Sequence, residues 1–416
     1  MNSAPEREEG SGSGALARSA LLRWLLSRFT PSGRALLGAT VVVGVYSAAF
    51  RFDANPMYFF ASALLSLLVV DALVGWVFRP RAEVERQLPE RVAAGSDVRL
   101  RARVTNRGRL PLFDWGYVER LDPTAFARAP EPPHARCLLP GASAEAEDRL
   151  RPLRRGVYDL PGPLVYSAFP FGFYRTPCKQ AAPARLVVTP SFSPLARLDL
   201  PAGRRHQPGG LALVSAVGDS EEFLGLREYR AGDRLRDVYA RAWARLGRPV
   251  VREHRQEYLT RVGLVVDAHA PGRRRGARRA FEAAVSLGAA VADALAREEY
   301  VIDLFAAGGE LFHFQAGRSL ATFEDILDVL ACLAPCRSDP FPRLGPRVLD
   351  EAGRLSAVVA VFLDWGPSRR DFVRALEERG CALRGVVVCE GAPSSDPGPT
   401  LRLLSPAEVE EGVEAL

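Results

Sequence analysis

The spacing of hydrophobic positions changes texture three times along the chain. Near the start, residues 35–50 and 57–78 are two almost uncharged apolar runs, separated by the turn-like Arg51, Phe52, Asp53, Ala54, Asn55 and Pro56. This pattern predicts two membrane helices joined as a tight hairpin. The first run is shorter than the roughly 20 residues a bilayer asks for, although Arg34 can snorkel and lengthen it, and the second is long enough in spite of Asp71. A buried helical hairpin of a soluble protein is the competing reading, but such a hairpin rarely supplies two such runs side by side. If the turn lies near Ala54, Asp71 is level with about Leu37, roughly one 5.4 Å turn from Arg34. An Asp71–Arg34 pair is therefore expected, since an isolated carboxylate in a membrane is costly; Asp71 facing water or another subunit is the alternative.

Arginines mark the orientation. Arg18, Arg23, Arg28 and Arg34 precede the pair of runs, Arg79, Arg81 and Arg86 follow it, and only Arg51 lies between. The expectation is a multi-pass protein of the cell (inner) membrane, with the N-terminus and the soluble part cytoplasmic. The Ser/Gly/Glu-rich first dozen residues read as a disordered tail. Leu16, Leu21, Leu22, Leu25, Leu26 and Phe29 can lie along the membrane surface, and the apolar runs start too far from Met1 for a cleaved signal peptide.

From 81 to 190 the runs are short and alternating, as in Val98 to Val104 and Arg185 to Thr189, and are punctuated by Asn106, Arg107 and Gly108 or by Pro161, Gly162 and Pro163. Short strands with frequent turn signals predict an antiparallel, sandwich-like domain. His134, beside two prolines, reads as solvated surface.

From 259 to 416 the rhythm becomes that of alternating strands and helices. Val262 to Val266 is a buried strand ending at Asp267, after which Phe281, Ala284, Val285, Gly288, Val291 and Leu295 recur at helical spacing. Strands are expected at 300–307, 311–315, 357–363 and 383–389, with helices at 321–333 and 369–379. The order implies a largely parallel α/β sheet with helices on both faces. Ligands of such sheets gather at the carboxyl ends of strands, where Asp267 and Asp364 fall.

Residues 191–258 form a linker with a dense charged segment. Asp233 is placed as an N-cap, Leu235, Val238, Tyr239, Ala242 and Leu246 make one apolar face, and Gly247 supplies the stop. Residues 219–257 hold nine arginines and eight acids, a mixed field unlike the single sign of a nucleic-acid groove.

The run Glu222, Phe223, Leu226, Arg227, Tyr229, Gly232, Asp233, Arg236, Arg241, Ala242, Ala244, Arg245 and then Val250 to Glu253 resembles the signature of the bacterial "domain of unknown function 58" family. Arg155 to Tyr158 and Pro170 to Gly172 add to that resemblance, which extends from about Arg34 over nearly the whole chain. The family's usual tryptophan falls at Ala240, and Trp243 replaces a commonly smaller residue. The resemblance implies a tail (1–30), a transmembrane α-hairpin (31–80), a β-sandwich-like domain (81–190), the linker and signature (191–258) and an α/β von Willebrand factor A-like, Rossmann-like domain (259–416). It also implies a partner, a MoxR-type AAA+ ATPase, with the chain as a membrane-anchored scaffold in cell-envelope or stress-related assembly. Glu222, Arg227, Asp233, Arg236 and Arg245 are expected to form a charge network joining the two soluble domains.

A von Willebrand A-like domain can hold a divalent cation with an Asp-x-Ser-x-Ser loop. Here that loop is Asp267, Ala268, His269, Ala270 and Pro271; both serines are absent, so Asp267 with Asp364 makes a degenerate site and a divalent cofactor is not expected. Arg273, Arg274, Arg275, Arg278 and Arg279 follow at the start of a helix, whose N-terminus disfavours cations. They are candidates for direct recognition of an acidic peptide or carboxylate, against the alternative of a solvated basic loop.

Composition narrows the rest. The 416 residues carry 55 basic and 49 acidic side chains, but Lys179 is the one lysine, so the pI near 9.2 reflects an arginine bias and not a nucleic-acid groove. Cys137, Cys178, Cys332, Cys336, Cys381 and Cys389 are scattered and read as reduced thiols. No nucleophile elbow, phosphate loop or His-Glu-x-x-His helix is present, and His206 and His254 have no motif around them. The order of expectation is an interaction scaffold with lipid and protein partners and no small-molecule substrate, then a divalent-metal-dependent ligand binder, then a hydrolase.

Overall fold

The computed structural model describes residues 28–48, 57–128, 134–179, 183–201, 223–230, 238–254, 261–270, 275–308, 311–316 and 321–416. The chain is multidomain and mixed α/β, and it divides into two compact units, Met1–Thr189 and Pro190–Leu416.

The first unit opens with two helices packed on each other, α1 (Pro31–Ala48) and α2 (Met57–Val77). Thr30 starts α1, its Oγ1 accepting the Gly33 N–H at 3.1 Å, with Pro31 at the first position, where its missing N–H costs nothing. Only α2 among the described residues is long and apolar enough to cross a membrane, with a mean hydropathy of 2.1. The expected second span is weaker, because Ser32, Arg34, Thr40 and Ser47 dilute α1. Two of its hydroxyls bond back to the helix, Thr40 to the Leu36 carbonyl and Ser47 to that of Val43.

The structure corrects the expected Asp71–Arg34 pair. Asp71 is buried, and its two oxygens accept the backbone N–H groups of Phe171 (2.9 Å) and Tyr174 (2.7 Å). A distant loop of the β-rich part has reached the carboxylate, which no helix-level arithmetic could anticipate.

That β-rich part has eleven named strands among its described residues: β1 (Ala82–Gln87), β2 (Arg91–Ala93), β3 (Val98–Asn106), β4 (Leu112–Val118), β5 (Phe126–Arg128), β6 (His134–Leu138), β7 (Ser143–Pro152), β8 (Gly156–Leu160), β9 (Leu164–Ser167), β10 (Thr176–Lys179) and β11 (Ala184–Thr189). They form sheets ordered β1-β3-β7-β5, β10-β9-β4-β6 and β2-β11-β8, antiparallel except where β2 meets β11. Strict alternation along β3 turns Val98, Leu100, Ala102 and Val104 inward and its arginines outward. Trp115, Tyr117, Leu112 and Val165 fill one cluster, and Leu100, Phe126, Leu150, Leu186 and Val188 fill another. Buried charge is present too: Arg86 pairs with Glu119 at 2.9 Å, and Arg128 lies 3.5 Å from Asp148. His134 lies on an exposed strand, not in a loop.

In the second unit β12 (Phe223–Glu228) pairs antiparallel with β13 (Val250–His254), and α3 (Ala240–Leu246) lies between them in sequence. Gly247 closes α3 in the left-handed region at φ 67°. The helix starts later than expected, with Tyr239 at the N-cap, because Val238 is extended and bridged to Val251. The expected cap, Asp233, lies outside the described residues.

The main sheet of this unit has the order β16-β15-β14-β17-β18-β19, from β14 (Arg261–Val266), β15 (Val301–Ala307), β16 (Leu311–Ala316), β17 (Ala357–Phe362), β18 (Ala382–Val388) and β19 (Leu401–Leu404). All neighbours are parallel except β15 and β16. The central strands β14, β15 and β17 are buried almost throughout, as strands covered on both faces must be. One face is packed by α4 (Arg275–Arg297), α5 (Phe323–Cys332) and α8 (Pro406–Glu411), the other by α6 (Phe341–Glu351) and α7 (Pro367–Glu378). Helix α6 was not expected, its periodicity being masked by Pro340, Pro342 and Pro346. The chain runs outward from β14 to β16 and then returns to β17 on the other side of β14, so the topological switch point, where such sheets place ligands, lies at the carboxyl ends of β14 and β17.

Candidate functional site

Asp267 follows β14 directly and is fully buried at that switch point. Its Oδ1 accepts the His269 N–H (2.9 Å) and its Oδ2 the Leu363 N–H (3.2 Å), the second tying the ends of β14 and β17 together. The remaining capacity is filled by one side chain, Arg369, which is 4% exposed. Its Nε and Nη2 donate to Oδ2 at 3.2 and 3.0 Å, while Nη1 reaches Asp339 at 3.1 Å. The guanidinium also lies over the Phe341 ring, 4.7 Å from its centroid. Asp339 in turn accepts from the Ser368 hydroxyl and the Phe341 N–H.

The local sequence explains this placement. Gly366 caps α7 and Pro367 opens it, which sets Ser368 and Arg369 in its first turn. A cation there opposes the helix dipole, so it needs carboxylate partners, and two are supplied. Burial pushes the Asp267 carboxyl above its ordinary value, against the pull of Arg369 and the two backbone N–H groups. Burial also acts to raise Asp339, but the Ser368 hydroxyl, the Phe341 N–H and Arg369 prevail and hold its carboxyl below the usual range. Cys336, beside this site, donates to the Ala268 carbonyl at 3.2 Å, and burial pushes its thiol up, away from nucleophilic reactivity.

The residues present do not fit a divalent cation. A cation at the Asp267 carboxylate would have to displace a guanidinium, and Ala268 and Ala270 offer no side-chain oxygen. Asp364 accepts instead from the Ser394 N–H (2.7 Å) and hydroxyl. Among the described residues, no three His, Cys, Asp or Glu side chains are grouped to hold a metal.

Of the arginine cluster, Arg273 and Arg274 lie outside the described residues, Arg275 begins α4, and Arg278 is exposed. Arg279 is half-exposed, and its fork holds Glu410 of α8, at 2.9 and 2.6 Å. The Glu390 carboxylate lies against Gly276 in the first turn of α4, placing an acid where the helix dipole favours one.

Of the signature residues, Glu222, Gly232, Asp233 and Arg236 lie outside the described residues. Phe223 is on β12, the Arg227 guanidinium donates to the Glu228 carbonyl, and the Tyr229 N–H donates to the Pro249 carbonyl. Arg241 and Arg245 are exposed on α3. Arg369 and Asp339 were missed by sequence reasoning; the one signal was a basic residue in the first turn of a helix that follows a buried strand.

No protein-family model and no curated protein sequence matches the chain. Among solved structures, the native conformation of E. coli alpha-2-macroglobulin is similar at 20% identity and a TM-score of 0.22, over 27% of this chain and 7% of that one. A crystal structure of the E. coli protein from domain MG7 to the C-terminus gives 19% and 0.22, over 28% and 18%. Salmonella alpha-2-macroglobulin reacted with methylamine gives 19% and 0.21, over 29% and 8%. The chain thus spans less than a fifth of each of these proteins, and likenesses this low carry no argument about fold or function.

Proposed function

We propose that the chain is a membrane-anchored, cytoplasm-facing interaction scaffold that works with a MoxR-type AAA+ ATPase and performs no catalysis of its own. The observation that carries the anchor is α2: 21 residues whose most apolar window is only 11% buried within the protein, so the apolar surface needs a cover. Helix α1 pairs with it as the other arm of a transmembrane hairpin, and the flanking arginines favour a cytoplasmic soluble part. The resemblance to the "domain of unknown function 58" family supports the choice of partner and a von Willebrand A-like reading of the second unit. Its sheet, with Arg369 seated against Asp267, is then a domain whose cation is built in, and this favours a scaffold over a metal-dependent binder.

Two measurements test the reading. After alkaline extraction the full-length protein stays in the membrane pellet, and in inverted vesicles added protease removes the region after Arg81; protection of that region would reverse the orientation. Affinity capture of the solubilised full chain from its own cells brings down an AAA+ ATPase whose retention is unaffected by EDTA. Reproducible absence of an ATPase would remove the partner, and loss of it with EDTA would restore the metal-dependent reading.

A further inference from the structure

The loop of residues 169–175 in the β-rich part is wedged between the start of α1 and the last third of α2. The Thr30 hydroxyl donates to the Gly172 carbonyl at 2.6 Å, the Thr30 N–H to that of Phe173, and the Arg175 N–H to that of Arg28. Phe29 and Tyr174 meet edge to face at 5.4 Å. Gly33 has no room for a Cβ against the Phe173 carbonyl, and a Cβ on Gly75 would lie 2.8 Å from Thr176 Oγ1. From the far side of the loop Asp71 accepts the N–H groups of Phe171 and Tyr174.

Helix geometry sets the depth of this junction. Asp71 lies six residues before Val77, the end of α2, which is about 9 Å along the axis. Trp76, 71% exposed on α2, is the kind of side chain that marks a membrane–water boundary, and Asp71 lies about 7.5 Å inside it. The loop that touches Asp71 is at the same level. Most of its backbone N–H groups are partnered, which lowers the cost of leaving water: Phe169 donates to the Ser167 hydroxyl, Phe171 and Tyr174 to Asp71, Gly172 to the Ala168 carbonyl and Arg175 to that of Arg28. Phe171 is nevertheless 49% exposed, on a loop whose backbone is bonded to α2, where Leu73, Trp76 and Val77 are also exposed.

We infer that residues 169–175 dip into the bilayer beside the hairpin, with the Phe171 ring among the lipid acyl chains and Asp71 as the latch that satisfies the loop backbone there. This rests on the membrane reading above and adds a second contact between chain and lipid. It also accounts for where α1 begins, since the loop occupies the level just before Pro31, and it gives a carboxylate in an apolar helix a purpose that needs no cation.

The test uses the full-length chain in phosphatidylcholine vesicles, with the photoreactive p-benzoylphenylalanine placed singly at Phe171, Leu73 or Leu153. Leu73 faces outward on α2. Leu153 is exposed at the end of the β3 and β7 pair opposite Asn106, the residue that pairs with Ala82 where the chain leaves α2. On illumination, lipid adducts are expected at 73 and 171 and not at 153. An adduct at 73 without one at 171 overturns the inserted loop and leaves the membrane reading intact; no adduct at 73 defeats the membrane reading and the loop with it. In an Asp71→Leu background the adduct at 171 should fall several-fold while that at 73 is unchanged, and an undiminished yield at 171 would overturn the latch.

Discussion

Asp71 and Asp267 are alike in sequence, each a lone acid in or at the end of an apolar run, and both are buried with two backbone N–H donors. They differ in what completes the site. Asp71, for which sequence spacing offered Arg34, is met by a loop. Asp267, which resembled a degenerate metal ligand, is met by Arg369 from a helix 102 positions away. A buried carboxylate thus specifies that donors will arrive but not which ones. Where the loop alone suffices, the acid joins two parts of a unit; where a guanidinium enters, it occupies the switch point of the sheet.

The largest effect should come from leaving Asp267 without its cation. Arg369→Ala should cost about 3–5 kcal/mol, the range for one partner of a buried pair. Asp267→Asn together with Arg369→Met should cost clearly less than the sum of the single changes, as read by urea unfolding of the full chain in detergent. Additivity there would mean that Arg369 does not complete the Asp267 site.

Asp71→Leu should be milder, about 1–3 kcal/mol, since it strands two N–H groups and no buried cation. Combined with Arg34→Gln, its cost should add to within about 0.5 kcal/mol in the same measurement. A marked non-additivity would reinstate the helix pair.

Two glycines of α1 sharpen the point about the loop. Gly33→Ala should cost about 1–3 kcal/mol, because the Phe173 carbonyl cannot retreat. Gly38→Ala, with nothing near its Cβ, should stabilise by roughly 0.5–1 kcal/mol. Equal effects on the melting temperature would mean the loop is not seated on α1.

The smallest effects are in pH dependence, where two acids, Asp148 and Asp339, should respond with opposite sign. Asp148 of β7 is raised above 3.8 by burial, against Arg128, so what it contributes is fully present below 3.8 and lost as pH rises through its folded value. Asp339 is held below 3.8, so its contribution is present above that value and lost as pH falls through the folded one. Asp148→Asn should therefore be better tolerated at neutral than at acid pH, and Asp339→Asn the reverse, in melts of the full chain followed across pH. The same sign for both would refute the contrast.

Much of this was legible in the chain. The uninterrupted apolar run of α2, the strict alternation of β3 and the solid Val262 to Val266 run each carry their periodicity locally, so the mixed α/β, multidomain character could be read from the residues. The position of Asp267 at a strand end followed from the same reading. Helix α8 was equally visible in Ser405, Pro406 and Glu408, a capping box, although only the structure drew attention to it.

Side-chain periodicity and caps act over a few residues, so most helices and strands, and the acids at their ends, could be placed from the residues alone; α6, with its prolines, could not. The partners of those acids come from packing. Phe171 and Tyr174 reach Asp71 across 100 and 103 positions, and Arg369 reaches Asp267 across 102. The choice depends on which loop or helix end the packed sheets bring within about 3 Å, and hydrogen bonds and ion pairs of that reach leave no trace in local spacing.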